Sequence, residues 1–325
     1  MCKAVKNSTD CTRRQLTETA HAKLNLCLAV HFPPQEGGYH LLDSVFQEIS
    51  LSDTLTFSLI DAQKIQCIEA NTSLGSSVSI SCNVENLSIN DNLIFRAIDA
   101  LELAFNKSIC SANEMLIVDV DKHIPVGGGL GGGSSNAAAA IRAYCKLCNE
   151  NFTDNRVLKV AQNLGADVAF FLHGGAALMR GRGDELVKKL PSFPLPLVLM
   201  GSNEGCDTGK VYRAFDANPA PVPDAEMLSE AMEEYSKAKS PLTKTVASMM
   251  LAERCQNNLT LSAYELLPVL ADRVKYAQTS NNTLGACVTG SGATAFAICA
   301  DKDAAARFAA EANSWCDWTE VVEAL

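Results

Sequence analysis

The sequence predicts an α/β protein organised in two domains. Residues 19–30 show the alternating polarity of a β-strand, residues 92–105 have helical spacing, and such segments continue to alternate along the chain. A length of 325 residues is enough for two hydrophobic cores. The predicted segments are a flexible tail at 1–18, a first domain at 19–185 and a second domain at 186–325, with the proline-rich stretch Pro191–Pro196 close to the boundary.

The composition limits the kinds of partner that the chain can bind. The net charge of −10 and the pI near 5.0 argue against a nucleic-acid partner. A phosphate-bearing ligand must therefore be held locally, by backbone N–H groups, a metal ion or a few placed cations. No run approaches the roughly 20 apolar residues needed to cross a bilayer, and residues 1–17 are polar and too short for a plastid transit segment. We expect no membrane partner and a cytoplasmic location.

The cysteines do not form a recognisable framework. There are 13 of them, an odd number with scattered spacing, and the one C-x-x-C pair, Cys145 and Cys148, lacks a second ligand pair at zinc-site spacing. Cys27, Cys287 and Cys299 lie in apolar runs, where a free thiol behaves as a small hydrophobic side chain. We interpret the cysteines as free thiols in a reducing compartment.

The strand predicted at residues 19–30 brings two polar side chains to one face. Leu24 and Leu26 point to one side, so Lys23 and Asn25 project together from the other side. The pattern alone leaves two interpretations open, namely a solvent-exposed polar face and a functional pair.

The most informative segment is rich in glycine. It reads Pro125-Val126-Gly127-Gly128-Gly129-Leu130-Gly131-Gly132-Gly133-Ser134-Ser135, between a predicted strand and an alanine-rich helix that reaches about Cys148. Missing side chains let backbone amides approach a ligand closely, and a helix opened by Ser134 or Ser135 offers free N–H groups and a dipole that favour phosphate. We therefore predict a phosphate-binding loop; the alternatives are a flexible hinge and tight packing of strand against helix.

Two common phosphate loops fit this segment poorly. A Walker loop ends in Gly-Lys-Ser/Thr, and no lysine follows these glycines. A dinucleotide fingerprint matches formally at Gly127, Gly129 and Gly132, but Glu150 lies in a polar stretch and not at the end of a strand.

Two further segments are candidates for the site. Asp167 stands at the start of an apolar run, where it could act chemically or simply cap a helix. Thr289–Thr294 is a second glycine- and serine-containing turn between two apolar strands, and it could be a hairpin turn or another phosphate contact.

Three of these segments together resemble the GHMP kinase superfamily, which includes galacto-, homoserine, mevalonate and phosphomevalonate kinases. They are Ala22-Lys23-Leu24-Asn25-Leu26, the glycine loop and Gly290-Ser291-Gly292-Ala293-Thr294. Gly38-Tyr39-His40 and Leu164-Gly165-Ala166-Asp167-Val168 are similar to the branch of this family that phosphorylates the 2-hydroxyl of a cytidine-diphosphate-linked sugar alcohol in the non-mevalonate isoprenoid pathway. The match runs in order from about residue 19 to residue 300.

The resemblance implies a two-domain fold with a left-handed βαβ unit and an ATP site between the domains. It implies Asp167 as the catalytic base and Lys23 as its electrostatic partner, with magnesium accompanying ATP through Ser134 or Ser135. The implied ATP-binding residues are those of the loop from Pro125 to Ser135, with Asn92 and Lys122 near the adenine. The implied substrate-binding residues are Asn25, Tyr39, His40, Thr208, Tyr212, Gly290, Ser291 and Gly292, in which Tyr39 and Tyr212 sandwich the cytosine and His40 contacts its polar edge.

Two rival functions share most of these features. Another GHMP kinase acting on a different alcohol would have the same loop and fold, but Tyr39 and His40 argue against it. A nucleotide-binding regulator without transferase activity would not need both Lys23 and Asp167. We expect a small-molecule substrate and ATP as partners, and a monomer or weak homodimer.

Overall fold

The computed structural model describes residues 12–34, 38–62, 70–84, 91–238 and 240–325, and for residues 241 and 242 it describes the backbone alone. The chain divides into two compact units. The first unit combines the described residues up to His21 with Ser52–Ile124 and Gly132–Leu172, and the second combines Ala22–Leu51, Pro125–Gly131 and His173–Leu325. The units interleave along the chain, and the sequential boundary after residue 185 stays a prediction.

The secondary structure of the described residues is numbered in chain order. The strands are β1 (Thr12–Val30), β2 (Leu42–Asp61), β3 (Ala70–Asn71), β4 (Ser77–Cys82), β5 (Glu114–Asp121), β6 (Ala176–Arg180), β7 (Glu185–Leu190), β8 (Pro196–Gly201), β9 (Gln256–Asn257), β10 (Gly285–Val288), β11 (Ala295–Ile298) and β12 (Trp318–Glu323). The helices are α1 (Leu93–Phe105), α2 (Gly132–Cys148), α3 (Asn155–Leu164), α4 (Ala166–His173), α5 (Thr208–Ala217), α6 (Ala225–Tyr235), α7 (Pro241–Arg254), α8 (Thr260–Leu266), α9 (Val269–Thr279) and α10 (Lys302–Ala312). No described helix has the length and apolar character that a membrane crossing requires.

The first unit is built on a sheet in the order β3-β4-β5-β2. The second half of β2 pairs antiparallel with β5, from Thr54 opposite Asp121 to Asp61 opposite Glu114, and β4 runs parallel to β5. Helix α1 packs against α2 and α3. Tyr144 of α2 is fully buried and donates a hydrogen bond from its hydroxyl to the carbonyl of Lys107 at 2.7 Å. This unit therefore fixes both the end of β5 and the helix that follows the glycine loop.

The second unit contains a four-stranded antiparallel sheet in the order β10-β11-β8-β12. Buried residues of α9 and α10, among them Leu270 and Phe308, pack with this sheet into one core. In the same unit β1 pairs parallel with the short strand β9, and β2 pairs with β6 over residues 44–47. Asn258, just after β9, binds both backbone groups of Val30: its Oδ1 accepts from the Val30 N–H and its Nδ2 donates to the Val30 carbonyl, each at 2.9 Å.

Most of the predicted elements are confirmed. Helix α1 begins at Leu93 with Asn92 as its N-cap, and α3 begins after the N-cap Asp154. Helix α2 begins at Gly132, two residues before Ser134. The glycines thus form the first turn of the helix as well as the loop before it.

The predicted extent of the flexible tail is wrong for residues 12–18, which belong to β1; residues 1–11 lie outside the described part of the chain. Leu16 is the one apolar side chain from Thr12 to Glu18, so the sequence gives no strand-like alternation there. Polar contacts, and not apolar side chains, attach this part of β1 to the rest of the first unit. Gln15 donates to the Ser58 hydroxyl at 3.1 Å, and buried Glu18 pairs with Arg142 and Lys146 at 2.9 and 2.6 Å.

Candidate active site

Lys23 and Asn25 lie on the same face of β1, as predicted, but the face is buried and not solvent-exposed. Lys23 is 4% and Asn25 is 2% exposed. The ammonium of Lys23 donates to Asn25 Oδ1 at 2.7 Å and lies 5.0 Å from the centroid of the Phe46 ring. Burying an ammonium is costly unless it is hydrogen-bonded or paired. The contacts with Asn25 and Phe46 therefore offset part of the cost of burying Lys23.

Both glycine-containing turns hold this part of β1 from the second unit. The backbone N–H of Lys23 donates to the carbonyl of Leu130 in the glycine loop at 3.0 Å. The backbone N–H of Asn25 donates to Oγ1 of Thr289 at 2.9 Å, and Thr289 is fully buried. The strand is thus fixed by the loop at one residue and by the turn two residues later.

The positions of the loop are occupied by glycine for different structural reasons. A Cβ on Gly129 would lie 2.6 Å from the carbonyl oxygen of Gly292 and 3.0 Å from that of Thr289. A Cβ on Gly128 would lie 3.0 Å from Oγ1 of Thr294. These two glycines therefore allow the loop to pack against the Thr289–Thr294 turn. Gly127, in contrast, is exposed and faces no atom within 4 Å, which leaves its backbone accessible.

The start of α2 is the part of the loop that belongs to the first unit. A Cβ on Gly132 would meet Ile124 at 3.0 Å and the Lys122 ammonium at 3.1 Å, so close packing requires glycine here. Gly133 is exposed, Ser134 is half-buried and Ser135 is 1% exposed. The free N–H groups and dipole of this 17-residue helix favour an anion at this end. Tight packing, one of the alternatives for this segment, accounts for Gly128, Gly129 and Gly132, while Gly127 and Gly133 are exposed; phosphate binding stays a prediction.

Lys122 forms a buried ion pair that shapes the same region of the first unit. Its ammonium lies 2.6 Å from Oδ2 of Asp53, and the two side chains are 7% and 0% exposed. Oδ1 of Asp53 accepts from the backbone N–H groups of His123 and Ile124 at 2.7 and 2.8 Å. The pair therefore holds the end of β5, against which Gly132 packs. The side-chain oxygen of Asn92 is also engaged, because it accepts a hydrogen bond from Ile94 N at 2.9 Å as the N-cap of α1.

Asp167 is the second residue of α4 in the first unit and is half-buried. It is not the cap residue: Gly165 ends α3, and α4 begins at Ala166. A carboxylate in the first turn of a helix is stabilised in its ionised form by the helix dipole. The position suits a group that must carry a negative charge.

The His40 ring, predicted to contact the polar edge of the base, lies among protein atoms. The His40 side chain is 3% exposed; its Nδ1 lies 2.8 Å from the carbonyl oxygen of His31 and its Nε2 lies 2.9 Å from Oδ1 of Asp216. Because a carbonyl only accepts, Nδ1 carries the proton there. The Asp216 contact is not aligned as a hydrogen bond, since Oδ1 has no hydrogen-bonding partner among the described residues. Both ring nitrogens thus face protein atoms.

The two predicted tyrosines differ in their surroundings. Tyr39 is 63% exposed, and the Arg182 guanidinium lies over its ring at 5.6 Å. Tyr39 is therefore a surface residue and not part of the core. Tyr212 lies on α5, half-buried, with its ring 5.3 Å from the His40 ring and tilted by 41°. Thr208 at the start of α5 forms a hydrogen bond at 2.8 Å with Ser291, between their hydroxyl oxygens.

Sequence reasoning missed several residues that support the site. They are Ser44, Asp53, Arg182 and Asp216, all of which act on a residue named above. The sequence carries no signal for Asp53 or Asp216, because each contacts a residue far along the chain.

Burial raises the pKa of several described thiols. Cys27, two residues after Asn25, is free, and burial raises its pKa to about 12. Burial also raises the pKa of Cys206 near Gly292, and it raises those of Cys145 and Cys148 to about 11. A thiol with a raised pKa is a poor nucleophile and a poor metal ligand at neutral pH. These four cysteines therefore behave as small apolar side chains.

Comparisons with known proteins agree with this geometry. The family model for the N-terminal domain of GHMP kinases matches residues 92–175, and the model for their C-terminal domain matches residues 225–317. A homoserine kinase from Cytophaga hutchinsonii has the same fold, with a TM-score of 0.64 at 16% identity over 99% of this chain and 97% of that one. The chain belongs to the GHMP kinase family.

Closer similarities lie within one branch of that family. The 4-diphosphocytidyl-2-C-methyl-D-erythritol kinase of Desulfitobacterium hafniense is 33% identical over 92% of each chain, and that of Enterococcus faecalis is 29% identical over 96% of this chain and 99% of the relative. A crystal structure of 4-(cytidine 5'-diphospho)-2C-methyl-D-erythritol kinase has a TM-score of 0.72 at 27% identity, covering 95% of this chain and 100% of that one.

Removing the cation of the buried pair should destabilise the protein. Lys122→Met leaves the Asp53 carboxylate buried without its counter-charge, so we expect a loss of about 3–5 kcal/mol in the free energy of unfolding, measured by urea denaturation. The matched control is Lys107→Met, because Lys107 is 46% exposed in its pair with Glu150; an exposed pair contributes about 0–1 kcal/mol. Equal losses in the two variants would show that the Lys122 pair does not hold the end of β5.

Proposed function

We propose that this chain is an ATP-dependent kinase that phosphorylates the 2-hydroxyl of 4-diphosphocytidyl-2-C-methyl-D-erythritol in the non-mevalonate route to isoprenoid precursors. The observation that carries the proposal is the buried Lys23–Asn25 pair, fixed by both glycine turns, in a chain whose relatives bear that enzyme's name. We further propose a cytoplasmic location and a monomer or weak homodimer.

The proposed chemistry needs little covalent participation by the protein. Phosphoryl transfer depends mainly on positioning the reactants and stabilising charge. The attacking alcohol must lose its proton, and Asp167 accepts it as the general base. Lys23 offsets the negative charge that develops on the alcohol and the transferred group. The Asn25 amide oxygen holds the Lys23 ammonium at 2.7 Å, which limits where that charge can lie.

ATP is proposed to bind by its phosphates to the loop from Pro125 to Ser135. Exposed Gly127 and Gly133 offer backbone N–H groups, and the N-terminus of α2 supplies the dipole. Asn92 and Lys122 are proposed to lie near the adenine. Asn92 caps α1 through its side-chain oxygen, which leaves its NH2 donors for the base, and Lys122 is held by Asp53.

Magnesium fits the residues at the start of α2. The Ser134 side chain is half-buried and presents a hydroxyl oxygen, the hard type of ligand that Mg²⁺ prefers. Among the described residues, no group of three or more His, Cys, Asp and Glu side chains is placed to hold a metal ion. Mg²⁺ commonly binds through few protein ligands together with substrate phosphates. Ser134 or the more buried Ser135 would hold it, and it would neutralise phosphate charge.

The cytidine end of the substrate is proposed to bind in the second unit. Exposed Tyr39 offers a ring face for stacking, and Tyr212 offers a second ring that His40 supports from 5.3 Å. Because the His40 ring nitrogens face His31 and Asp216, we assign recognition of the polar base edge to the His40 main chain. Thr208 and the turn Gly290-Ser291-Gly292 are proposed to contact the rest of the substrate; the hydrogen bond between Thr208 and Ser291 holds them together.

The substrate assignment is tested by turnover. Purified protein with ATP and magnesium should phosphorylate 4-diphosphocytidyl-2-C-methyl-D-erythritol, and mevalonate and homoserine should give no product, measured by coupled ADP release. Turnover of mevalonate or homoserine but not of the cytidine compound would identify a different kinase of the family. ATP binding without any turnover would identify a regulator.

Asp167→Asn should separate chemistry from folding. The substitution keeps the shape and removes the basic carboxylate, so kcat should fall by about 10²–10⁴. ATP affinity and the melting temperature should change little. Asp154→Asn is the matched control, because Asp154 is a carboxylate at the start of α3 whose capping function asparagine also performs. Near wild-type turnover in Asp167→Asn would rule out Asp167 as the general base.

Tyr39→Ala and Tyr212→Ala test the stacking site. Each substitution should weaken the binding of the cytidine substrate by about five- to 150-fold, since a stacked aromatic contributes about 1–3 kcal/mol per base. The KM for ATP should stay nearly unchanged. Tyr276→Ala is the control, since Tyr276 is 46% exposed and packs on Trp315, with ring centroids 4.5 Å apart. Equal losses for both ligands with a lower melting temperature would instead show that the tyrosines only stabilise the fold.

A further inference from the structure

Behind the Lys23–Asn25 pair lies a hydroxyl that neither the sequence patterns nor the proposed mechanism uses. Ser44 lies on β2 in the second unit and is fully buried. The Asn25 side-chain amide, through Nδ2, donates to Ser44 Oγ at 2.8 Å, and Ser44 Oγ lies 2.6 Å from the carbonyl oxygen of Cys27. A continuous series of hydrogen bonds therefore runs from the Lys23 ammonium through Asn25 and Ser44 to the backbone of β1.

The direction of every hydrogen bond in this series is determined. A carbonyl oxygen can only accept, so the single Ser44 proton is donated to Cys27. Ser44 Oγ must then accept from Asn25, which requires the NH2 end of the amide to face Ser44. The amide oxygen consequently faces the Lys23 ammonium, which can only donate. The Ser44 hydroxyl and the Lys23 ammonium thus select the same orientation of the Asn25 amide, and Ser44 holds its NH2 end in place.

The opposite orientation of the amide would be unfavourable for Lys23. It would place the Asn25 NH2 group against the ammonium, two donors facing each other, and the ammonium would lose a partner in a buried site. Phe46, two residues after Ser44 and so on the same side of β2, lies 5.0 Å from the Lys23 ammonium. One face of β2 therefore restrains the Lys23 ammonium in two ways: Ser44 acts through the Asn25 amide, and Phe46 acts through its own ring.

We propose that Ser44 is a positioning residue for phosphoryl transfer, which fixes the Asn25 amide so that its oxygen holds the Lys23 ammonium in place for the reaction. The inference rests on the proposed function of Lys23. Ser44 itself contacts neither substrate nor nucleotide in this role. Its loss should act on kcat, because the ammonium would be misplaced in the transition state while the binding surfaces stay intact.

The test is Ser44→Ala, assayed for both substrates. We expect kcat to fall about two- to tenfold, the range that corresponds to one hydrogen bond, with the KM values for ATP and the cytidine substrate within about twofold of wild type. The matched control is Ser58→Ala. Ser58 is also a buried serine of β2 that accepts a side-chain amide hydrogen bond, from Gln15 at 3.1 Å, but it lies in the first unit. That variant should keep its kcat. If Ser44→Ala does not fold, Ser44→Cys fills the same space with a weak donor and should show the same selective loss.

A double-mutant cycle decides whether Ser44 acts through Asn25. In an Asn25→Ala background the additional loss from Ser44→Ala should disappear, because the amide to be oriented is absent. A full additional loss there, or a folded Ser44→Ala with unchanged kcat, overturns the proposal. Crystal structures of wild type and Ser44→Ala give a readout without turnover: the Asn25 side chain, no longer held at its Nδ2 end, should move, so that its distance from Lys23 Nζ exceeds the 2.7 Å of the present structure. If wild type lacks the proposed kinase activity, the substrate assignment fails; if the Asn25 side chain keeps its position in the variant, the Ser44 inference fails.

Discussion

Two backbone turns that are about 160 residues apart in sequence pack closely enough to exclude side chains between them, and the second unit depends on this contact. A Cβ on Gly129 would lie 2.6 Å from the Gly292 carbonyl oxygen, which is closer than real Cβ contacts allow. From this position the glycine loop offers the Leu130 carbonyl to Lys23, and the turn offers the Thr289 hydroxyl to Asn25. The backbone of β1 is therefore fixed on both sides of its functional pair. The loop that is expected to bind phosphate and the strand that carries the ammonium are positioned by one set of contacts.

The sequence predicted this site in part, and its successes and failures have physical causes. Strand periodicity placed Lys23 and Asn25 on one face, because side-chain alternation is a local property. It could not show their burial, which depends on a loop and a turn more than 100 residues away. For the same reason it missed Ser44, whose partners Asn25 and Cys27 belong to another strand. Nor could the sequence show that the His40 ring lies among protein atoms, with its Nε2 2.9 Å from Oδ1 of Asp216 on α5.

In both units, buried polar side chains are paired with other protein groups. Asp53 accepts one hydrogen bond from the Lys122 ammonium and two from backbone N–H groups, so its charge is compensated without water. Ser44 uses its proton and one lone pair, and Asn25 uses both ends of its amide. An unpaired buried polar group costs about 1–3 kcal/mol. Each of these networks therefore has few alternative arrangements of similar energy, and it holds its members in a single geometry that a catalytic site requires.

The residues proposed to recognise the acceptor lie on segments separate from the phosphate loop. Tyr39 belongs to the connection between β1 and β2, which is held by hydrogen bonds from His31 N to the Leu41 carbonyl at 2.9 Å and from Leu42 N to the Gly181 carbonyl at 2.8 Å. Tyr212 belongs to α5, which packs through Val211 and Phe215 on Leu28 and Val30 of β1. These attachments use main-chain groups and apolar contacts that many sequences can supply. The shared fold with a homoserine kinase at 16% identity shows that this architecture tolerates wide sequence change.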